Sequence, residues 1–243
     1  MANRNLLLLS NSTNAGQSWL EHANDEICDF LTSEIQSVLF IPYAGVTISW
    51  DEYTRRAREK FREFGYALLS VHEVDDIPKA VKQAEAIVVG GGNTFHLVWY
   101  FHQTGLIELI RERVLNEGIP YIGWSAGSNV ACPTMKTTND MPIVEPASFD
   151  TLNLIPFQIN PHYLDANPQG HQGETREERI LEFIAVNREV SVVGLREGTL
   201  FRIHGDEIQL IGPKSARIFH HKSEPYELSA TDSFTFLLTS TAE

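Results

Sequence analysis

An α/β fold, with a mostly parallel sheet and helices on both of its faces, is predicted by three observations. Over the first ~130 residues, short apolar runs alternate with amphipathic helical stretches, the signature of βαβ units. Those runs are apolar at consecutive positions, as strands buried on both faces require. Short strand-like segments separated by turn residues fill the last third, which predicts antiparallel strands near the C-terminus.

Each element has its own signal. Asn5 to Ser10 reads as a buried strand that runs into a polar turn. Gly16 to Leu31 carries Trp19, Leu20, Ala23, Ile27, Phe30 and Leu31 at helical spacing. Ser37 to Ile41 is a second strand, stopped by Pro42. Trp50 to Phe64 is a charged amphipathic helix closed by Gly65. Tyr66 to Val71 is a third strand, and Asp76 to Ala84 a short helix with Pro78 in its first turn. Ala86 to Val89 is a fourth strand leading into Gly90-Gly91-Gly92-Asn93. Helical pattern returns over Thr94 to Phe101 and Leu106 to Glu117. Ile119 to Trp124 is a fifth strand, and Ser125 opens another helix. A helix near Thr175 to Val186 precedes five short strands: Ser191 to Leu195, Leu200 to His204, Glu207 to Ile211, Ala216 to His220 and Phe234 to Leu238. With no linker, repeat or low-complexity stretch, residues 1–243 read as one α/β domain.

Composition narrows the function. The net charge of -13 argues against nucleic acid as a partner, because phosphate binding needs a basic face. No run approaches the roughly 20 apolar residues of a membrane span. The apolar run Leu6 to Leu9 is too short for a signal-peptide core. Two cysteines, Cys28 and Cys132, fit a reduced cytoplasmic core better than a disulfide scaffold. A cytoplasmic protein is expected.

The chemistry is signalled at Gly123-Trp124-Ser125-Ala126-Gly127, which follows a strand and precedes a helix. That is the setting of a nucleophile elbow: a tight turn lifts the serine hydroxyl above the sheet edge, and the helix start offers free N–H groups to an oxyanion. The competing reading of Ser125 is a helix N-cap. Gly90-Gly91-Gly92-Asn93 also ends a strand and can donate N–H groups, so Gly92 and Ala126 are the oxyanion-hole candidates. A phosphate loop is disfavoured, since neither G-x-G-x-x-G nor Gly-Lys-Ser/Thr occurs there.

Among nine histidines, His162 stands out. It follows Gln158-Ile159-Asn160-Pro161 in a stretch rich in polar residues that reads as a loop, and loops carry function. Either Glu197, in Gly194-Leu195-Arg196-Glu197-Gly198, or Asp140, before Met141-Pro142, could orient its imidazole. Spacing does not choose between them. No H-E-x-x-H or C-x-x-C spacing calls for a metal, and no cofactor is expected.

Several motifs together resemble the peptidase E family, the α-aspartyl dipeptidases among serine peptidases. They are Leu6-Leu7-Leu8-Leu9-Ser10-Asn11-Ser12, Trp50-Asp51-Glu52-Tyr53-Thr54, Gly90-Gly91-Gly92-Asn93-Thr94-Phe95 and Tyr121-Ile122-Gly123-Trp124-Ser125-Ala126-Gly127, then Thr137-Thr138-Asn139-Asp140-Met141-Pro142, Asn160-Pro161-His162 and Gly173-Glu174-Thr175-Arg176-Glu177. The last ~40 residues match least. The resemblance implies a flavodoxin-like or class I glutamine amidotransferase-like fold, with serine in place of cysteine. It implies Ser125 as nucleophile, His162 as base, and Glu197 ahead of Asp140 as the orienting acid. It implies Asp-X dipeptides as substrates, bound through Arg176 and Asn93. A monomer or homodimer is expected, and the sequence does not choose between the two. A guanidinium at Arg176 would grip the substrate β-carboxylate bidentately; the plainer reading pairs Arg176 with Glu177 or Glu178. Three rivals are a cyanophycinase-like hydrolase of β-linked aspartyl substrates, an α/β-hydrolase esterase using the order Ser125, Asp140, His162, and a flavodoxin-like binding protein. The polar stretch Asp165 to Thr175 is a candidate cover for the site.

Overall fold

A computed structural model describes residues 3–166, 170 and 172–239. Strands β1 (Asn5–Leu9), β2 (Ser37–Ile41), β3 (Ala67–Ser70), β4 (Ile87–Val89) and β5 (Tyr121–Trp124) alternate with helices α1 (Asn24–Leu31), α2 (Trp50–Glu63), α3 (Ile77–Gln83), α4 (Thr94–Thr104) and α5 (Leu106–Arg111). Then come α6 (Ala126–Asn129), β6 (Gln158–Tyr163), α7 (Arg176–Val186), β7 (Val192–Arg196), β8 (Leu200–His204), β9 (Glu207–Ile211), β10 (Ala216–Phe219) and β11 (Tyr226–Leu228). The main sheet has the order β3-β2-β4-β5-β1-β8-β9. Its first five strands are parallel, and β8 and β9 extend it antiparallel. A second sheet has the order β11-β10-β7-β6.

The continuous apolar strands are explained by two cores, one on each face of the main sheet. Leu6 and Leu8 of β1 point into a core shared with Ile41, Val89 and the apolar sides of α3 to α6. Leu7 and Leu9 point into the other, with Phe40, Trp124, α1 and α2. All four leucines are fully buried. Each contributes about 1.5–3 kcal/mol by removal from water. Side-chain caps set helix starts: Ser49 accepts from the Glu52 N–H at 3.2 Å, and Asp76 from the Lys79 N–H at 2.9 Å. Gly65, at φ 95°, ends α2 in the left-handed conformation that the sequence anticipates.

Several elements differ from expectation. The helix expected over Gly16 to Leu31 begins only at Asn24, after a 3-10 turn over Glu21–Ala23. Glu21 folds its carboxylate back onto the N–H and hydroxyl of Ser18, and Leu20 takes φ 59°, so a helix cannot run through. Trp19 and Leu20 mimic helical spacing because tertiary contacts bury them, Trp19 packing edge-on to Trp124 at 5.6 Å. Phe234 to Leu238, expected as a strand, holds a 3-10 turn over Thr235–Leu238 that buries Phe234 and Leu237 on one side. The helix through Glu117 changes to a π-helical turn at Glu112–Asn116. The antiparallel strands divide between the two sheets. His162 lies on β6, not in a loop. Of the candidate cover Asp165 to Thr175, residues 167–169 and 171 lie outside the described residues. Among the described residues no helix is long and apolar enough to cross a membrane.

The second sheet is braced by charge. Arg196, on β7 and 9% exposed, holds Asp165 and meets both carboxylate oxygens of Glu227 on β11 at 2.8 Å. Arg217 on β10 joins Glu227 to Glu177 of α7. Arg196, aided by the Ser215 hydroxyl and Arg217 against the cost of burial, holds the Glu227 carboxyl down at about 2. A depressed carboxyl stabilises the fold fully above its unfolded value, and that contribution disappears as pH falls through the folded one. Thermal midpoints followed downward from about pH 4.5 to about 2 are therefore expected to fall, and to fall less steeply in Glu227→Gln. Equal slopes would show that the brace does not couple to folding.

Candidate active site

The elbow is built by crowding. Ser125 sits between β5 and α6 at φ 53°, ψ -112°, a conformation that costs a non-glycine residue about 1–3 kcal/mol. The surroundings enforce it. A side chain at Gly123 would strike the Gly127 carbonyl, and one at Gly127 would strike the Val89 carbonyl of β4. The Ser125 N–H donates to the Leu9 carbonyl at 3.1 Å, and its own carbonyl accepts from the N–H groups of Ser128 and Asn129 at 3.0 Å. The Ser128 hydroxyl lies 2.6 Å from the Leu9 carbonyl and 2.8 Å from that of Gly123.

The glycine turn after β4 lies against this elbow. A Cβ at Gly91 would stand 3.0 Å from the Ser125 Cβ. Gly92 adopts φ 139°, and a side chain there would strike the Ala44 carbonyl. A buried chain of hydrogen bonds ties the two turns together: Trp124 Nε1 donates to the Tyr53 hydroxyl at 3.0 Å, which donates to the Gly91 carbonyl at 3.1 Å. Burial pushes the Tyr53 phenol far up, so it stays a donor. The N–H groups of Gly91 and Gly92 meet no acceptor among the described residues. Ala126 is the first residue of α6 and has no intrahelical acceptor for its own.

Opposite Ser125 stands His162. Its ring Nε2 is 2.9 Å from Ser125 Oγ, and its Nδ1 is 2.7 Å from Glu197 Oε1. A carboxylate only accepts, so Nδ1 carries the proton and Nε2 is left to accept from the serine hydroxyl. The two sheets bring these groups together. β6 and β7 run parallel, with a bulge between Asn160 and Tyr163 that turns His162 to φ 53°. The His162 N–H donates to the Ser10 hydroxyl at 2.9 Å, and that hydroxyl donates to the Leu195 carbonyl at 2.8 Å. Glu197 immediately follows β7, and the Gly198 N–H is anchored on Asn11 Oδ1 at 2.8 Å. The chain order Ser125, His162, Glu197 is not that of the α/β-hydrolases.

Asp140 is elsewhere. Its Oδ2 accepts from the N–H and hydroxyl of Thr94, at 2.7 and 2.6 Å, and from the Thr138 hydroxyl at 3.0 Å, and it makes no bond to His162. It closes the start of α4. Its neighbour Asn139 donates to the Pro161 carbonyl and accepts from Asn160, so this loop braces the peptide just before His162. Asn93 caps α4 through Oδ1, which accepts from the His96 N–H at 3.1 Å, while Nδ2 donates to the Met141 carbonyl at 2.9 Å. That occupies the groups a substrate contact would use and leaves one amide hydrogen.

Arg176 opens α7, half-buried. Burial, then the like charge of Arg179, lower its pKa against the opposing pull of Asp140. The partners expected from sequence are engaged otherwise: Glu177 with Arg217, and Glu178 in a capping box with Thr175. Among the described residues the Arg176 guanidinium forms no hydrogen bond or ion pair. Sequence reasoning missed Tyr53, Ser10 and Asn11, whose roles arise only from contacts across the fold. No group of three or more His, Cys, Asp or Glu among the described residues could hold a metal.

The arrangement can perform acyl transfer. A hydroxyl, an imidazole and a carboxylate stand in line, beside unpaired N–H groups. Comparison with known proteins points the same way. The model of peptidase family S51 matches residues 6–211. Peptidase E of Nostoc sp. is 51% identical over 235 residues, covering 97% of each chain. Peptidase E of Salmonella newport is 48% identical over 229 residues, covering 94% of this chain and 99% of its own. The solved structure of a peptidase from an acI-B1 Actinobacterium shares the fold with a TM-score of 0.70 at 17% identity, covering 96% of this chain and 97% of that one.

Proposed function

We propose that this chain, which belongs to peptidase family S51 and is a serine-type peptidase, hydrolyses dipeptides with an N-terminal aspartate through an acyl-enzyme on Ser125. The observation that carries this reading is the line from Ser125 Oγ through His162 to Glu197, at 2.9 and 2.7 Å, on a strained elbow. His162 takes the hydroxyl proton as Ser125 attacks the Asp–X carbonyl. Glu197 holds the ring tautomer and stabilises the imidazolium. The N–H groups of Gly92 and Ala126 receive the oxyanion. His162 then protonates the departing amine, and water activated by the same imidazole frees aspartate.

Arg176 supplies the specificity in this reading. The protein carries a net charge of -13, so an acidic substrate needs a local cation, and a half-buried guanidinium that makes no hydrogen bond or ion pair among the described residues, and feels Asp140 only at longer range, fits that need. Asp140 sits beside this region as a helix-closing and tuning charge. The same reading has residues 1–243 act as one domain, a monomer or homodimer working in the cytoplasm on small peptides. Cys28 and Cys132 are unbridged, in keeping with a reducing compartment.

The test is hydrolysis of Asp-Leu beside Asn-Leu, Glu-Leu, N-acetyl-Asp-Leu and the β-linked isomer of Asp-Leu. Selective cleavage of α-linked Asp-Leu is expected. Preferential cleavage of the β-linked peptide would replace this reading with the cyanophycinase-like one.

A further inference from the structure

A cavity of about 770 Å³ opens beside the glycine turn, within the roughly 300–1,000 Å³ typical of small-molecule sites. Its walls come from the loops after β1, β2 and β4, from α2, and from Ile143 in the stretch between α6 and β6. These loops leave the carboxyl ends of parallel strands, where open α/β sheets bind ligands. In the sheet β5 lies between β4 and β1, and the end of β5 carries Ser125. The cavity therefore flanks the serine, and Gly91, which touches Ser125, forms part of its wall.

The near walls are apolar. Trp19, Val46, Ile48, Tyr53 and Ile143 line it, and Val46 and Ile143 are 50% and 48% exposed. Its charged residues are already neutralised: Arg56 pairs with Glu52, Lys60 with Glu63, and Glu59 with Arg55. No unpaired cation there could capture the aspartyl carboxylate, in contrast to Arg176. Arg176 is not among the residues that line the cavity. The two substituents of an amide carbonyl leave it in different directions. If the aspartyl side chain binds Arg176, the cavity is left free for the departing residue.

Resting on the dipeptidase reading above, we propose that this cavity is the subsite for the second residue of the dipeptide, and that it selects bulky apolar side chains there. Closing an apolar side chain over Val46 and Ile143 removes both from water, the driving force for the preference.

The experiment measures kcat/KM for Asp-Phe, Asp-Leu and Asp-Ala with wild type, Val46→Glu and Ile143→Glu. Both changes are on exposed side chains. In wild type, Asp-Phe and Asp-Leu should exceed Asp-Ala by about tenfold or more, a modest value for discrimination by apolar contact alone. In the variants that ratio should collapse towards unity. A flat series in wild type, or variants that lower all three substrates alike and keep the ratio, would overturn the subsite while leaving the aspartyl dipeptidase reading intact. Absence of turnover on every Asp-X substrate would remove both, so the two failures are distinguishable.

Discussion

Ser125→Ala lowers kcat on Asp-Leu by about 10⁴–10⁶-fold, because the acyl-enzyme can no longer form and only binding and the oxyanion donors remain. The effect should not spread to the fold. Ser125 is held by its backbone N–H and carbonyl, and its hydroxyl hydrogen-bonds only to His162 among the described residues. Glu197→Gln should cost about 10²–10⁴-fold in kcat with little change in KM, since an amide can present the wrong hydrogen-bonding group to Nδ1. Water reaches this pair, with Glu197 at 48% exposure, which favours the lower end. Asp140→Asn has a different signature. It weakens the closure of α4, so it should lower stability by about 1 kcal/mol while sparing kcat, and removing a negative charge near Arg176 should lower rather than raise KM for the acidic substrate. Single-turnover kinetics on the three variants separate these outcomes. A kcat loss for Asp140→Asn as large as that for Glu197→Gln would mean that the line through His162 is not the working relay.

The elbow could be read from sequence because local sterics generate it. A buried strand, three small residues and a helix leave a serine few other conformations. The main sheet could be read for the same reason, its apolar runs being local. The partners of Ser125 were harder to recognise. Gln158-Ile159-Asn160-Pro161-His162-Tyr163 resembles a loop because proline and polar side chains break the strand pattern, yet burial in the second sheet makes it a strand. The bulge that turns His162 towards Ser125 has no residue signature, and a positive φ at a histidine is imposed by its surroundings. Spacing alone does not choose between Glu197 and Asp140; the family resemblance favours Glu197, and the physical reason, the register of β6 on β7, is a contact across the fold. Tyr53 was visible only as part of an amphipathic helix face, whereas its hydroxyl couples the elbow to the glycine turn.

Arg176→Gln tests substrate recognition rather than chemistry. The substitution keeps a polar, though shorter, side chain but removes the charge and the paired donors. For Asp-Leu, kcat/KM should fall by about 10²–10³-fold, the scale of removing one partner from a desolvated charge pair. For Asn-Leu, which has no carboxylate to lose, the change should be small, so the preference for aspartate over asparagine collapses. Arg176→Lys should fall between, retaining the charge without the bidentate grip. The loss should appear mainly in KM if the carboxylate is held equally in ground and transition states, and in kcat if the grip tightens as the acyl group reorients. The protein's net charge of -13 sharpens the test, because no background attraction for acidic peptides masks the loss of a local cation. An unchanged Asp-to-Asn ratio in Arg176→Gln would return Arg176 to the role of an ordinary helix-start residue and require a different cation for the aspartyl group. Arg196 and Arg217 do not offer one, since both are committed to Asp165, Glu177 and Glu227 within the second sheet.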